Sequence, residues 1–203
     1  TIRLRKIGIK IFIGQKKSNI INSKIVVVST AISEKNEEYI AAKKMFLPIV
    51  HRAEMLGELM RLKQSIAIAG THGKTTTTSL IAKMIEENGM DPTIINGGII
   101  SSLDSNAKLG NGEWMVVEAD ESDGSFAKLN PTVAIITNID LEHLDYHKSE
   151  ENLEKAFFQF VSSIPFYGFV CLCIDHPRTQ KLISKLANKK VITYGLSANA
   201  DVR

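Results

Sequence analysis

Short apolar runs alternate along the chain with longer segments in which apolar residues recur every three or four positions. The short runs predict buried β-strands, and the longer segments predict helices with one buried face. From residue 64 onward, the predicted strands are 65–69, 114–117, 133–137, 169–174 and 191–194. The predicted helices are 75–88, 149–163 and 176–187.

Two of these helices have a clear apolar face. The helix over 75–88 is expected to bury Leu80, Ile81, Met84 and Ile85. The helix over 149–163 is expected to bury Leu153, Ala156, Phe157, Phe160 and Val161. Apolar strands that alternate with helices are typical of an α/β fold with a mainly parallel sheet.

Residues before 64 show the same alternation in shorter elements. Strands are predicted at 9–13, 25–29 and 47–50. A helix is predicted to begin after an N-cap at Ser33 and to end at about Lys44, because acidic residues follow Ser33 in the first turn. A second helix is predicted over 52–61.

The charge is distributed unevenly along the chain. Residues 1–63 have a net charge of +8 and residues 64–203 have a net charge of −5, which together give +3. This asymmetry is typical of two units with different partners, and it fits two surfaces of one domain equally well. We expect two domains, over 1–63 and 64–203. The net charge of +3 is too small to indicate a nucleic-acid partner.

Composition excludes several classes of protein. The chain is 44% apolar and 23% charged, which is ordinary for a globular protein, and no apolar run approaches the roughly 18 residues of a membrane helix. The two cysteines, Cys171 and Cys173, are too few for a disulfide scaffold and fit a reducing compartment. They share one face of a predicted strand without other metal-binding residues nearby, so we interpret them as small buried apolar residues.

The most specific motif is the segment GTHGKTTTT, which begins at Gly70 between a predicted strand and a predicted helix. Glycines allow backbone N–H groups to approach phosphate oxygens, and a helix N-terminus favours anions. The general phosphate-loop pattern has glycine at the position of Ile68, so the match is to a variant of it. The residues predicted to bind nucleotide are Gly70, Thr71, His72, Gly73, Lys74, Thr75 and Thr76.

Acidic residues and a histidine follow the next two predicted strands. Glu118 follows the strand 114–117 directly, and His143 lies six residues after the strand 133–137. Because ligands bind at the carboxyl ends of strands in α/β sheets, these side chains are expected to face the phosphate loop. Lys74 is expected to neutralise the β- and γ-phosphates, and the hydroxyl of Thr75 suits Mg²⁺. The predicted metal ligands are Thr75, Glu118 and His143.

Several motifs in sequence order resemble the Mur ligase family. They are the segment 70–78, the segment 118–126 (EADESDGSF), the segments 137–139, 142–145 and 165–168, and in the first unit the segments 29–32 and 51–56. The resemblance covers nearly the whole chain. It implies that 1–63 is part of an N-terminal Rossmann-like domain that binds a UDP substrate. It also implies that 64–203 is part of a central P-loop ATPase-type domain and that the C-terminal amino-acid-binding domain is absent.

The resemblance also implies a reaction. In the family member that adds the first amino acid, which the segment 118–126 resembles, ATP activates the lactyl carboxylate of UDP-N-acetylmuramate as an acyl phosphate. The amine of L-alanine then attacks this acyl phosphate in peptidoglycan precursor synthesis. Lys74, Glu118 and His143 are the implied catalytic residues, ATP and Mg²⁺ the implied cofactors, and the cytoplasm the implied location. The implied substrate-binding residues are Ser29, Thr30, Arg52 and Ser122. Neither nucleic acid nor a membrane is an implied partner.

Two alternatives remain at this stage. One is a ligase of the same family that recycles cell-wall peptides by attaching a whole peptide to the same sugar. The other is a truncated nucleotide-binding protein without catalytic activity, since the resemblance implies that this chain is an internal fragment and inactive by itself. We expect Lys74→Ala to abolish turnover of the complete enzyme while its thermal midpoint stays nearly unchanged.

Overall fold

The computed structural model describes residues 2–100 and 105–203. The chain divides into two compact units, Thr1–Met55 and Leu56–Arg203. The division lies inside one helix, eight residues before the boundary expected from the charge pattern.

The first unit contains a two-stranded parallel sheet with helices around it. The elements of this unit, in chain order, are α1 (Ile2–Lys6), a 3-10 helix (Lys17–Ile20), β1 (Val26–Val28), α2 (Glu37–Lys44) and β2 (Ile49–His51). Strand β1 pairs with strand β2, and Val28 is aligned with His51 at their carboxyl ends.

Two expectations for this unit are wrong. Residues 9–13 form no strand, and no described strand pairs with them; Ile9, Phe12 and Ile13 are exposed instead. An apolar run that finds no neighbouring strand cannot satisfy its backbone hydrogen bonds as a sheet. Helix α2 begins three residues later than predicted, because Asn36 caps it in place of Ser33. The Asn36 side chain accepts hydrogen bonds from the N–H groups of Glu38 and Tyr39.

The second unit contains one large sheet. Its strands within the described residues are β3 (Gln64–Ala69), β4 (Thr93–Ile100), β5 (Ser105–Lys108), β6 (Trp114–Glu118), β7 (Val133–Ile136), β8 (Phe169–Cys173) and β9 (Val191–Tyr194). They lie in the order β5-β4-β6-β3-β7-β8-β9, and each of these pairings is parallel except that of β4 with β5. This confirms the predicted α/β class with a mainly parallel sheet.

The helices that follow these strands lie close to their predicted positions. Helix α3 (Arg52–Met60) contains the division between the units. The others are α4 (Lys74–Glu87), α5 (Leu144–His147), α6 (Glu150–Ser162), α7 (Pro177–Ile183) and a 3-10 helix (Ser125–Lys128). Neither α5 nor this 3-10 helix was predicted from the sequence. Among the described residues, none of these helices has the length and apolar character needed to cross a membrane.

The apolar face of α6 is confirmed. Leu153, Phe157, Phe160 and Val161 are fully buried, and Ala156 packs against the same cluster. The ring of Phe126 lies edge-on to that of Phe157, with 5.0 Å between the ring centroids. Aromatic pairs in this geometry gain stability beyond the apolar area that they bury.

Only two of the four residues expected on the buried face of α4 pack against the sheet. Ile81 and Ile85 pack against the sheet, but Leu80 is 59% exposed and Met84 is 63% exposed. The fully buried residues of α4 are instead Thr78 and Ala82. Small side chains at the inward positions let this helix lie close to the sheet, and hydropathy alone does not reveal them.

Strand β8 carries the two cysteines on one face, and both are half-buried free thiols. Cys171 packs against the cluster under α4, and burial raises the pKa of its thiol. A thiol that is disfavoured as a thiolate is a poor nucleophile and a poor metal ligand. This supports the interpretation of Cys171 as a small apolar residue.

Candidate nucleotide and metal site

The central strands of the second unit end at the same edge of the sheet. Ile68 of β3 is aligned with Glu118 of β6, and Ala69 is aligned with Ile136 of β7. The loops that follow these three strands therefore start side by side. They contain the phosphate-loop motif, the acidic motif and the segment that leads to His143.

The loop between β3 and α4 depends on two glycines in conformations that other residues rarely adopt. Gly70 has a φ of 132°, and a Cβ at this position would overlap Thr137 Oγ1 and lie 2.9 Å from the carbonyl oxygen of Asn138. Gly73 has a φ of 81° with open space around it. It directly precedes α4, whose first residue is Lys74. The loop thus turns sharply and presents a helix N-terminus.

Thr137 and Asn138, in the loop that follows β7, hold the phosphate loop in place. Thr137 Oγ1 donates to the carbonyl oxygen of His72 at 2.7 Å, and Asn138 Nδ2 donates to the same oxygen at 3.0 Å. Asn138 Oδ1 accepts from the His72 N–H at 2.8 Å. The Thr71 hydroxyl accepts from the N–H of Asp140 at 2.8 Å, so this side chain also binds the loop. The sequence identified Thr137 and Asn138 only as part of a family motif.

Lys74 folds back over the loop that precedes it. Its ammonium donates to the carbonyl oxygens of Gly70 at 2.7 Å and Thr71 at 3.1 Å. It also lies 3.0 Å from each carboxylate oxygen of Glu121. Because its cation lies at the start of α4 among loop backbone groups, Lys74 has the position expected of a phosphate-binding lysine.

Glu121 is a member of this site that sequence reasoning did not single out. Its side chain is only 1% exposed, and that of Lys74 is 14% exposed. Burial raises the pKa of the Glu121 carboxyl, while the hydrogen bond and charge of Lys74 act in the opposite direction. Its spacing gave no signal, because Asp120 and Asp123 lie in the same acidic segment.

His143 is a second titratable neighbour of the Glu121 carboxylate. Its Nε2 is 3.7 Å from Glu121 Oε1, and the side chain is partly exposed. The residue has a φ of 56°, in the left-handed region, and directly precedes α5. His147 is buried, and its Nε2 lies 2.9 Å from the Glu121 carbonyl oxygen. His147 therefore supports the loop that carries Glu121.

Two of the three predicted metal ligands are in direct contact. The Thr75 hydroxyl donates to Glu118 Oε2 at 2.9 Å, and the N–H of Gly97 in β4 donates to the same oxygen at 2.9 Å. Hydroxyl and carboxylate oxygens are the ligands that Mg²⁺ prefers, so this pair fits such an ion. Asn96 Nδ2 donates to the carbonyl oxygen of Thr75 at 3.4 Å and to Ser79 Oγ at 3.0 Å, one turn further along α4.

A second group of titratable side chains lies beside the loop. His72 Nε2 is 3.4 Å from Asp140 Oδ2, and His176 Nε2 is 3.0 Å from Asp140 Oδ1. Glu142 lies 3.6 Å from His72 on the same side. No group of three or more His, Cys, Asp or Glu side chains within 2–100 and 105–203 has the arrangement of a metal site. We therefore interpret this group as an electrostatic contact between loops.

The remaining predicted residues lie apart from the phosphate loop or on its surface. Thr76 is exposed on the first turn of α4, and the Ser122 N–H donates to Asp120 Oδ1 at 3.0 Å in the acidic loop. In the first unit, Ser29 and Thr30 follow β1 and Arg52 follows β2. All three are exposed, and the parallel pairing brings them to one edge of that two-stranded sheet.

A cleft of about 620 Å³ lies at the opposite edge of the second unit's sheet, away from the phosphate loop. It lies where β3 and β7 begin, and its lining includes Arg61, Gln64, Thr132 and Tyr167. In open α/β sheets ligands bind at the carboxyl ends of the strands, so the phosphate-loop edge is the better candidate site.

Comparison with known proteins identifies similar sequences along nearly the whole chain. The family described as Mur ligase middle domain matches residues 68–203, and the one described as Mur ligase family, catalytic domain, matches residues 1–64. The UDP-N-acetylmuramate--L-alanine ligase of Rhodospirillum rubrum is 57% identical over 201 residues, which are 99% of this chain and 42% of that protein. The enzyme of the same name from Acidiphilium cryptum is 59% identical over the same length. The chain thus spans about two fifths of the length of these curated relatives.

Solved structures show the same fold. The UDP-N-acetylmuramate-alanine ligase of Thermotoga maritima has a TM-score of 0.83 and is 29% identical, over 97% of this chain and 44% of that one. The UDP-N-acetylmuramate:L-alanyl-gamma-D-glutamyl-meso-diaminopimelate ligase of Neisseria meningitides has a TM-score of 0.84 over 95% of this chain and 65% of that one. It is 22% identical, so this second likeness concerns the fold alone.

Proposed function

The chain belongs to the Mur ligase family, and on that premise we propose that it is the nucleotide- and metal-binding part of a ligase that joins L-alanine to UDP-N-acetylmuramate. The observation that carries this proposal is the identity of 54–59% to relatives of that name along nearly the whole chain. The convergence of Lys74, Thr75 and Glu118 at one sheet edge supports nucleotide chemistry there. The recycling ligase is the alternative outcome of the test below.

We assign residues 1–63 to the part that binds the UDP substrate and residues 64–203 to the part that binds ATP. The two family matches support this assignment, because one ends at residue 64 and the other begins at residue 68. The binding of L-alanine is assigned to the part of the relatives that this chain does not match. Since the reaction consumes ATP and a nucleotide sugar, we place it in the cytoplasm, with neither nucleic acid nor a membrane as a partner.

In this proposal the phosphate loop binds the triphosphate of ATP. The N–H groups at the start of α4 and the Lys74 ammonium supply positive charge to the β- and γ-phosphates. The glycines at 70 and 73 keep the backbone bare of side chains where the phosphates approach. Residues 71, 72 and 76 complete the nucleotide contacts through the loop and the first helical turn.

Thr75 and Glu118 are the proposed ligands of a first Mg²⁺, and His143 is the proposed ligand of a second. The contact between Thr75 and Glu118 fits the first ion, since both offer oxygen donors at one point. Bound Mg²⁺ would reduce the electrostatic repulsion between a carboxylate and a phosphate. Glu118 is the last residue of β6 and His143 lies in the segment that follows β7, and both of these strands end beside the phosphate loop.

The proposed reaction has two steps. The lactyl carboxylate of UDP-N-acetylmuramate attacks the γ-phosphorus of ATP and forms an acyl phosphate, with ADP as the leaving group. The amine of L-alanine then attacks the acyl carbon, phosphate leaves, and the amine proton is lost to solvent. Two anions must meet in the first step, so fixed positive charge at this site lowers its barrier. Ser29, Thr30, Arg52 and Ser122 are the proposed contacts of the UDP substrate.

A competition between acceptors tests this function. The complete polypeptide that contains this chain is incubated with ATP, Mg²⁺, UDP-N-acetylmuramate and an equimolar mixture of L-alanine and L-alanyl-γ-D-glutamyl-diaminopimelate. Mass spectrometry of the products is expected to show the L-alanine adduct and an equal amount of ADP. Formation of the tripeptide adduct alone would assign the recycling reaction instead. Absence of turnover with retained nucleotide binding would favour the non-catalytic alternative.

The two ends of β6 provide a matched pair of variants. Glu118→Gln removes the proposed metal ligand, whereas Glu113→Gln removes the same charge just before the other end of the strand. A metal ion supplies several kcal/mol to the transition state, so Glu118→Gln should lower kcat by about 100-fold or more. Glu113→Gln should stay close to wild type. Equal activity in both variants would remove Glu118 from its proposed role.

A further inference from the structure

The ammonium of Lys74 has no donor left for a phosphate. An ammonium group has three N–H donors. The three are directed to the carbonyl oxygens of Gly70 and Thr71 and to the carboxylate of Glu121, at 2.7, 3.1 and 3.0 Å. A phosphate oxygen can therefore bind Lys74 only by replacing one of these acceptors.

The carboxylate is the acceptor that a phosphate would replace. The carbonyl oxygen of Gly70 belongs to a loop that is held by Thr137 and Asn138 and cannot turn away without breaking those contacts. The Glu121 carboxylate is on a side chain with rotatable bonds. It is also an anion, so it is repelled by an incoming phosphate that competes for the same cation.

A displaced Glu121 carboxylate needs another cation. Its side chain is 1% exposed, and a buried carboxylate without a partner is strongly unfavourable. Its Oε2 lies 3.0 Å from Lys74 but accepts no well-directed hydrogen bond from the described residues. Besides Lys74, the carboxylate lies near His143, with Nε2 3.7 Å from Oε1. The ring of His147 is hydrogen-bonded to the backbone carbonyl oxygen of Glu121.

We propose that Glu121 exchanges partners during nucleotide binding. Before ATP binds, the Glu121 carboxylate holds Lys74 over the phosphate loop. When a phosphate of ATP binds the Lys74 ammonium, Glu121 becomes a ligand of the divalent cation beside His143. The exchange keeps the buried carboxylate paired with a cation in both states. It makes the binding of ATP and of the second cation mutually dependent, since each favours the same position of Glu121. This inference rests on the proposed function, which places a cation at His143.

Binding measurements on the complete polypeptide test the exchange without relying on activity. Wild type, Glu121→Gln and Glu151→Gln are compared; Glu151 is an exposed acid on α6 and controls for net charge. In EDTA, Glu121→Gln is expected to bind ATP about fivefold or more tightly, because the phosphate no longer competes with a carboxylate for Lys74. The binding of two Mn²⁺ ions is then measured by electron paramagnetic resonance at saturating ATP. Glu121→Gln is expected to bind the lower-affinity Mn²⁺ about 10-fold or more weakly than wild type does.

Either an unchanged ATP affinity in EDTA or an unchanged affinity for the weaker Mn²⁺ overturns the exchange. A crystal structure of wild type with a non-hydrolysable ATP analogue and Mn²⁺ gives an answer even when Glu121→Gln fails to fold. The Glu121 carboxylate is then expected on the metal ion, and its continued contact with Lys74 would refute the proposal. If wild type binds no ATP, the result overturns the proposed function as well as the exchange. If Glu121→Gln has the same affinities for ATP and Mn²⁺ as wild type, the result overturns only the exchange.

Discussion

Replacing Gly70 by alanine tests how tightly the phosphate loop packs against the loop after β7. The φ of 132° at Gly70 is unfavourable for alanine, and the added Cβ would overlap Thr137 Oγ1 and approach Asn138 O to 2.9 Å. Gly73 has a φ of 81°, but nothing lies within 4 Å of where its Cβ would stand. Gly73→Ala is therefore a matched control that has backbone strain without the collision.

The difference between the two variants can be estimated from these contacts. An unfavourable φ costs about 1–3 kcal/mol, and this is the loss expected for Gly73→Ala. In Gly70→Ala, Thr137 must also move, which breaks its 2.7 Å hydrogen bond to the His72 carbonyl. That hydrogen bond is worth roughly 1 kcal/mol, and crowding against the Asn138 backbone adds about 1–3 kcal/mol. We therefore expect Gly70→Ala to be about 2–4 kcal/mol less stable than Gly73→Ala.

Urea unfolding of the complete polypeptide without nucleotide measures this difference, with circular dichroism as the signal. The midpoint for Gly70→Ala should lie clearly below that for Gly73→Ala at an unchanged slope. Equal midpoints would mean that the loop has room for a Cβ at position 70. That result would refute the close approach of Gly70 to Thr137 and Asn138.

Two further predictions concern charged pairs. Lys74→Ala should abolish turnover, and it should also lower the free energy of unfolding by about 3 kcal/mol, because it leaves the buried Glu121 carboxylate without its cation. This revises the expectation from sequence that stability would be unchanged. The Arg178 guanidinium, 2.8 Å from Glu150, lowers the pKa of that carboxyl below its ordinary 4.5. The pair should therefore stabilise the fold above pH 4.5 and lose this effect as the pH falls through the lowered pKa.

Further variants test the Lys74 prediction and the Glu150 prediction. Urea unfolding of Lys74→Ala combined with Glu121→Gln should recover most of the lost stability, since no buried charge is then unpaired. An unchanged midpoint in Lys74→Ala alone would contradict the buried pair. For Glu150, the thermal midpoint of wild type and Glu150→Gln is compared from pH 6 down to about pH 3. The difference between them should shrink in acid, and a constant difference would contradict the lowered pKa.

The phosphate-loop chemistry was readable from the sequence because it is local. A run of Gly, Lys and Thr between a strand and a helix predicts backbone N–H groups, a cation and a hydroxyl within a few residues of one another. The end of β6 at Glu118 was readable for a similar reason, since an acid directly after a buried strand lies at the ligand-binding edge of the sheet. The contact between Thr75 and Glu118 confirms that these two residues come together.

Glu121 shows what local pattern could not provide. In the sequence it is one of four acids within six residues, and nothing in its spacing distinguishes it from Asp120 or Asp123. Only the packing around it makes its side chain buried and directs it to Lys74, 47 residues earlier. The anchoring of His72 by Thr137 and Asn138 joins residues 65 and 66 positions apart in the same way.

The sequence by itself determined the class of fold, most of the strands and the identity of the phosphate loop, because these depend on periodicity and on adjacent residues. It misplaced a strand at 9–13, and it missed β4, in which Asn96-Gly97-Gly98 interrupts the apolar run. It also predicted that α4 buries Leu80 and Met84, which are exposed. Strand pairing, the inward face of a helix and the partner of a buried charge depend on distant residues, so only the tertiary structure decided them.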